Sequence, residues 1–197
     1  MSDVVCVTSS ALCGEDFFER LRRIAESRPY AVILREKQLG EEEYFRLAER
    51  AMGIFEGSGV KLIIHKFIAV ARSLGAKGLH LPLGELLSAP ESELSGFEML
   101  GASCHSLNDI LAAESVGCTY VTLGNIFETQ CKRGLKGKGL DFLRECCNKS
   151  HIPVWAIGGI SPENAAEVRA AGAARVCVMG AFMKSPEVGA LVRSLER

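Results

Sequence analysis

The chain has little excess charge of either sign. Lys and Arg total 23 against 24 Asp and Glu, for a formal net charge of -1. That balance argues against a nucleic-acid partner and against an anionic membrane surface. No stretch approaches the roughly 18 uninterrupted apolar residues of a membrane span, and the opening MSDVVCVTSS lacks a basic n-region and an apolar core. A signal peptide is therefore not expected, and the location expected is cytoplasmic. No C-x-x-C pair accompanies the eight cysteines, so neither a zinc ribbon nor thioredoxin chemistry is expected. Cys6 and Cys177 sit inside apolar runs, as reduced and buried thiols do. No G-x-G-x-x-G follows the first strand-like run, which weakens a Rossmann reading. Carboxylates are scarce too: only Glu36 and Glu85 fall near strand ends, thin provision for a metal.

What the chain does have is alternation. Of its 197 residues 48% are hydrophobic, enough for one core. Short apolar or β-branched runs recur with longer helical stretches between them. Strands are expected at Val4–Thr8, Ala31–Leu34, Lys61–Ile64, Gly78–Leu81, Met99–Ser103, Tyr120–Leu123, Val154–Ile157 and Arg175–Met179. Helices are expected around Glu15–Ser27, Glu41–Phe55, Phe67–Leu74, Ser106–Ser115, Leu140–Lys149, from Ser161-Pro162-Glu163 onward, and over Glu187–Leu195. Pro82–Gly96, poor in apolar residues and interrupted by Pro90, reads as a short or irregular connection. Eight strand–helix units in under 200 residues predict a single-domain (β/α)8 TIM barrel over 1–197, with a doubly wound sheet as runner-up.

In such a barrel the residues just after each strand share one face, where sites form. In order these are Thr8, Ser9, Arg35-Glu36-Lys37, His65-Lys66, His80, Ser103-Cys104-His105, Gly124-Asn125, Gly158-Gly159 and Gly180. The set is polar, cationic and rich in glycine. Gly158, Gly159 and Gly180 let backbone N–H groups approach an anion, so a phosphate is expected between the last two strand ends. Arg35 and Lys37 alternate around Glu36, which in an extended chain sets both cations on one side. The long polar segment from Gly124 to Gly139 reads as a lid over an anionic ligand. His65, His80 and His105 are placed to move protons, whereas His151 precedes a strand and reads as structural.

At these residues the sequence resembles the thiamine phosphate synthase family, including its thiazole tautomerase branch. The resemblance rests on Leu34-Arg35-Glu36-Lys37, Gly78-Leu79-His80-Leu81, Leu100-Gly101-Ala102-Ser103-Cys104-His105-Ser106, Gly124-x-Ile126-Phe127-x-Thr129-x-x-Lys132 and Pro153-Val154-Trp155-Ala156-Ile157-Gly158-Gly159-Ile160. It implies a barrel that binds phosphorylated thiazole or thiamine phosphate. It further implies diphosphate contacts at Arg35, Lys37 and Lys132, a phosphate at Gly158, Gly159 and Gly180, and a pocket including Ser103, Asn125, Thr129, Cys131 and His80.

The synthase joins a pyrimidine diphosphate to thiazole phosphate with Mg²⁺. Its Asn-Asp pair after the third strand is His65-Lys66 here, and its second metal Asp aligns near Glu85. Around Phe127–Gly139 the tautomerase branch looks closer. That reaction is a metal-free proton transfer, although the histidine it implies after strand six is Asn125 here. The reading is therefore a tautomerase-type protein with His105 or His65 as proton carrier and no cofactor. The alternatives are a synthase using Mg²⁺ through Glu85, and a non-catalytic thiamine phosphate binder. Oligomeric state is left open, a homo-oligomer included.

Overall fold

A computed structural model describes residues 2–129 and 136–197. The eight runs form strands β1 (Val4–Val7), β2 (Ala31–Leu34), β3 (Lys61–His65), β4 (Gly78–Pro82), β5 (Met99–Cys104), β6 (Tyr120–Gly124), β7 (Val154–Ile157) and β8 (Arg175–Val178). All pair in parallel in chain order, and β1 closes on β8 through Val4↔Val176 and Cys6↔Val178. Strands such as VVCV and AVIL are buried on both faces, which is why they read as continuous apolar runs instead of alternating ones.

The two faces serve different cores. Val5, Val7, Ala31, Ile33, Ile63, Tyr120, Trp155 and Cys177 fill the barrel. Val4, Cys6, Val32, Leu34, Ile64 and Leu79 face outward under the helices. Tyr120 is stacked on Trp155 with ring centroids 3.7 Å apart. Gly101 on β5 makes room for it, since a Cβ there would lie 2.2 Å from the tyrosine ring. At the opposite end from the site, Tyr30 lies between Arg175, 3.2 Å from its ring centroid, and Lys61, at 3.8 Å. These cation–π contacts plug the barrel floor.

The helices are α1 (Phe17–Ser27), α2 (Glu41–Phe55), α3 (Ile68–Ser73), α4 (Leu83–Ser88), α5 (Glu91–Leu94), α6 (Leu107–Ser115), α7 (Gly139–Lys149), α8 (Ala165–Ala170), α9 (Gly180–Lys184) and α10 (Val188–Leu195). Asp16 caps α1, accepting from the Phe18 and Glu19 N–H groups at 3.0 Å, an arrangement worth about 1 kcal/mol. Ser106 caps α6 as the sequence indicates.

Three expectations need correction. Pro82–Gly96 is not irregular: it holds α4 and α5, with Leu86 and Leu94 buried and Pro90 at the N-cap of α5. A proline is tolerated there because a helix start needs no N–H from it. α8 begins at Ala165, not at Ser161. Asn164 holds the intervening turn by accepting from Ser161 N–H and donating to the Gly159 carbonyl. Arg35-Glu36-Lys37 is not an extended run, because the Leu39 N–H closes a turn onto the Glu36 carbonyl. No helix among the described residues is long and apolar enough to cross a membrane.

Candidate active site

The site is assembled at the C-terminal rim of the barrel, beginning with Glu36. Its carboxylate is buried, and it accepts from Thr8 Oγ1 at 2.6 Å, Ser10 N–H at 2.8 Å, Ser10 Oγ at 2.6 Å and Gln38 Nε2 at 2.9 Å. Charge-assisted bonds of this kind are short and strong. They tie the β1 and β2 ends together and hold the turn that carries Lys37. Thr8 Oγ1 also accepts from the Arg35 N–H at 2.9 Å. The Arg35 side chain leans across β1, with Nη1 4.0 Å from Met179 Sδ at the end of β8. Two strand ends far apart in sequence, at β2 and β8, thereby come together beside Gly180.

On β3 and β4 two imidazoles lie below the rim. Tyr44 of α2 donates to the Leu34 carbonyl and accepts from the His65 N–H at 2.9 Å. His65 is 5% exposed and His80 2% exposed, with ring centroids 6.0 Å apart. Burial lowers the His65 pKa from the ordinary 6.5 to about 3, helped by the positive charges of Arg35, Lys37 and Lys66. Burial lowers His80 likewise to about 3, with a smaller contribution from His65. Both are neutral at any ordinary pH and are poor proton acceptors there. His80 makes contacts at 3.0 Å to Tyr120 Oη and 2.9 Å to Ser103 Oγ.

His105, after β5, is exposed and differently held. Its Nδ1 lies 2.7 Å from the Gly124 carbonyl. A carbonyl only accepts, so Nδ1 carries a proton, and in the neutral ring the lone pair is on Nε2. Its N–H donates to Asp109 Oδ2 at 2.7 Å, and Lys138 Nζ donates to its carbonyl.

The β6–β8 side is built from close backbone approaches. Ile126 N–H bonds the Ile157 carbonyl and Phe127 N–H the Gly158 carbonyl, each at 3.0 Å. A Cβ on Gly158 would lie 2.6 Å from Asn125 Cβ, and one on Gly159 2.5 Å from the Glu128 carbonyl oxygen. Both glycines also have positive φ, 103° and 68°, a conformation that disfavours side chains. Among the described residues no backbone carbonyl accepts from the Gly159 or Ile160 N–H. Gly180 opens α9 with open space where a Cβ would be. Asn125 is buried and donates to the Phe127 carbonyl at 3.1 Å. Before α7, the Lys138 N–H bonds the Asn125 carbonyl and the Gly139 N–H the Ile126 carbonyl.

Most of the residues singled out in the sequence thus converge: Arg35, Lys37, His65, Ser103, His105, Asn125, Gly158, Gly159 and Gly180 occupy the ends of strands or the turns after them, whereas His80, expected just after a strand, lies in the middle of β4, buried beneath them. Thr129 follows β6 and is half-buried. Cys131 and Lys132 lie outside the described residues. Tyr120 and Tyr44 carry no signal in the sequence beyond their place in strand- or helix-like runs, and Trp155 stands out there only as part of the Pro153–Ile160 motif. The bracing role of Glu36 depends on Thr8, Ser10 and Gln38 coming together and has no local signal.

The rim does not fit Mg²⁺. That ion takes carboxylates and waters in near-octahedral array. Here the Glu36 oxygens are occupied by four donors, Glu85 is exposed in the first turn of α4, and Lys66 follows β3. Among the described residues no three His, Cys, Asp or Glu side chains gather as a metal site.

The chain is similar along most of its length to known proteins of one family. The sequence profile described as "Thiamine monophosphate synthase" matches residues 4–182. A putative thiamine-phosphate synthase of Geobacter sulfurreducens is 33% identical over 166 residues, covering 83% of this chain and 78% of its own. The thiamine-phosphate synthase of Methanoregula boonei is 31% identical over 98% of this chain and 91% of its own. Among solved structures, thiamine phosphate pyrophosphorylase from Pyrococcus furiosus superposes with a TM-score of 0.83 at 26% identity, covering 98% of this chain and 93% of that one. These matches point to thiamine biosynthesis without singling out the tautomerase branch. The chain belongs to the thiamine phosphate synthase family.

Proposed function

We propose that the chain is a thiamine phosphate synthase, joining hydroxymethylpyrimidine diphosphate to thiazole phosphate. The observation that carries this reading is the reach of Arg35 from β2 to Met179 at β8. It sets a guanidinium beside the glycine end of β8, and Lys37 follows on the braced turn after β2. That arrangement suits two anionic groups held close together, as this reaction needs.

In the reaction the thiazole nitrogen lone pair forms a bond to the pyrimidine methylene carbon. The carbon–oxygen bond to diphosphate breaks, and diphosphate leaves with the electron pair. No side chain has to remove a proton from carbon, so neutral His65 and His80 are no obstacle. Arg35 and Lys37 stabilise the negative charge that grows on the departing diphosphate, where preorganised cations count most. Gly158, Gly159 and Gly180 let backbone N–H groups hold the thiazole phosphate, and Lys132 belongs to the same anion-binding set. Ser103, Asn125 and Thr129 make up the rest of the proposed pocket, with His80 buried beneath Ser103; the family resemblance adds Cys131, which lies outside the described residues. Because the rim does not fit Mg²⁺, the side-chain cations are assigned the charge compensation. Incubation with both substrates tests this: thiamine phosphate and diphosphate should form in equal amounts, and Arg35→Ala should abolish most of the turnover.

One observation favours a second reading. The Gly124 carbonyl holds His105 through Nδ1, so that in the neutral ring Nε2 carries the lone pair at the rim, as a proton-transferring base in a thiazole tautomerase would. Isomerisation of the thiazole carboxylate lost in His105→Ala, with no synthase turnover, would favour it. Tight thiamine phosphate binding with neither activity would instead mark a non-catalytic binder.

A further inference from the structure

The barrel interior contains a chain of polar groups with a defined direction. Tyr120 is 2% exposed, and burial pushes its pKa upward, so the phenol keeps its proton. A buried O–H needs an acceptor. Among the described residues the partner it has is His80 Nδ1, at 3.0 Å, so Nδ1 accepts. His80 is neutral, and a neutral imidazole has one N–H. That proton is therefore on Nε2, 2.9 Å from Ser103 Oγ. Thr122 Oγ1, 3.4 Å from the same nitrogen, has the Ala102 carbonyl for its own proton at 3.5 Å. Ser103 Oγ accepts from His80, and among the described residues nothing accepts the Ser103 proton in return. Ser103 is half-buried at the rim end of β5.

We propose that Tyr120 and His80 are positioning residues that fix Ser103 as a hydrogen-bond donor into the mouth, directed at an anionic oxygen of the bound substrate. Without them the serine proton would turn inward to the imidazole and be lost to the ligand. Gly101 belongs to the same device, because its missing Cβ is what admits the tyrosine ring. The assignment of an anionic oxygen rests on the synthase reading above, whereas the direction of the relay does not.

Two measurements test it, with inorganic diphosphate as the probe. Nitrogen-15 NMR of the unliganded wild-type protein should show His80 as the Nε2–H tautomer; an Nδ1–H tautomer overturns the relay. In calorimetry, Ser103→Ala should weaken diphosphate binding about tenfold or more, and Tyr120→Phe, which keeps the ring over Gly101, should weaken it about fivefold. The double variant should bind no worse than Ser103→Ala alone, because the tyrosine acts only through the serine. Additive losses, or an unaffected Ser103→Ala, overturn the proposal. Wild-type protein that does not bind diphosphate at all would defeat the synthase reading, and the tautomer would still decide the relay.

Discussion

At the ends of β2 and β3 the barrel mouth carries Arg35, Lys37 and Lys66, while the ends of β7 and β8 carry Gly158, Gly159 and Gly180 with no charged neighbour between 157 and 160 or between 178 and 183. The first side is held by a carboxylate, Glu36, that binds hydroxyl, amide and backbone donors. The second is held by backbone approaches so close that a methyl group would not fit at Gly158 or Gly159. An anion can be gripped by charge, which acts over several ångströms, or by N–H groups, which act only in contact. The first tolerates positional slack and the second does not, which is why rigid packing is found on the glycine side.

The largest effect should come from breaking that packing. Gly158→Val adds a Cβ within 2.6 Å of Asn125 Cβ at a φ of 103°, and should cost about 3 kcal/mol or more of stability, read in urea unfolding. The charged side should behave in the opposite way. Arg35→Ala should cut synthase turnover about 100-fold while shifting the unfolding midpoint little.

A pH experiment separates the two sides further. His65 and His80 have folded pKa values of about 3, below the ordinary 6.5, so the unfolded chain binds protons first. The stability they contribute is complete above about pH 6.5 and is lost as pH falls toward 3. At pH 5 the loss should reach up to about 2 kcal/mol per histidine, and a His65→Asn variant should show a shallower decline. The smallest effect belongs to Gly180→Ala. With open space at its Cβ position and no positive φ, stability should move by no more than about 0.5 kcal/mol. A large loss there would dissolve the contrast between the two sides of the mouth.

Most of the barrel was legible in advance, because strands such as VVCV and AVIL are too short and too apolar to be anything but buried parallel strands. The rim residues were legible for the same reason: knowing where a strand ends places its next residue on the functional face. Helix starts were read less well. Ser161-Pro162-Glu163 has the composition of a cap, yet the Asn164 side chain turns it into a preceding turn. Arg35 and Lys37 were expected on one side of an extended run, but the buried Glu36 between them pulls the chain into a turn. The Tyr120–Gly101 pair had no local signal, since its partners are 19 residues apart and meet only through strand register.

The sequence by itself determined the eight-unit alternation, the cations after β2 and β3 and the glycines after β7 and β8, because periodicity and residue type act locally. It also supplied three histidines near the rim without saying what they do. Only the tertiary structure decided that. Burial among apolar and cationic neighbours makes His65 and His80 neutral, and the Gly124 carbonyl sets the tautomer of His105. A phenol two strands from His80 gives the Ser103 hydroxyl its direction. Protonation and hydrogen-bond direction depend on surroundings gathered from the whole chain, and no short stretch of residues contains them.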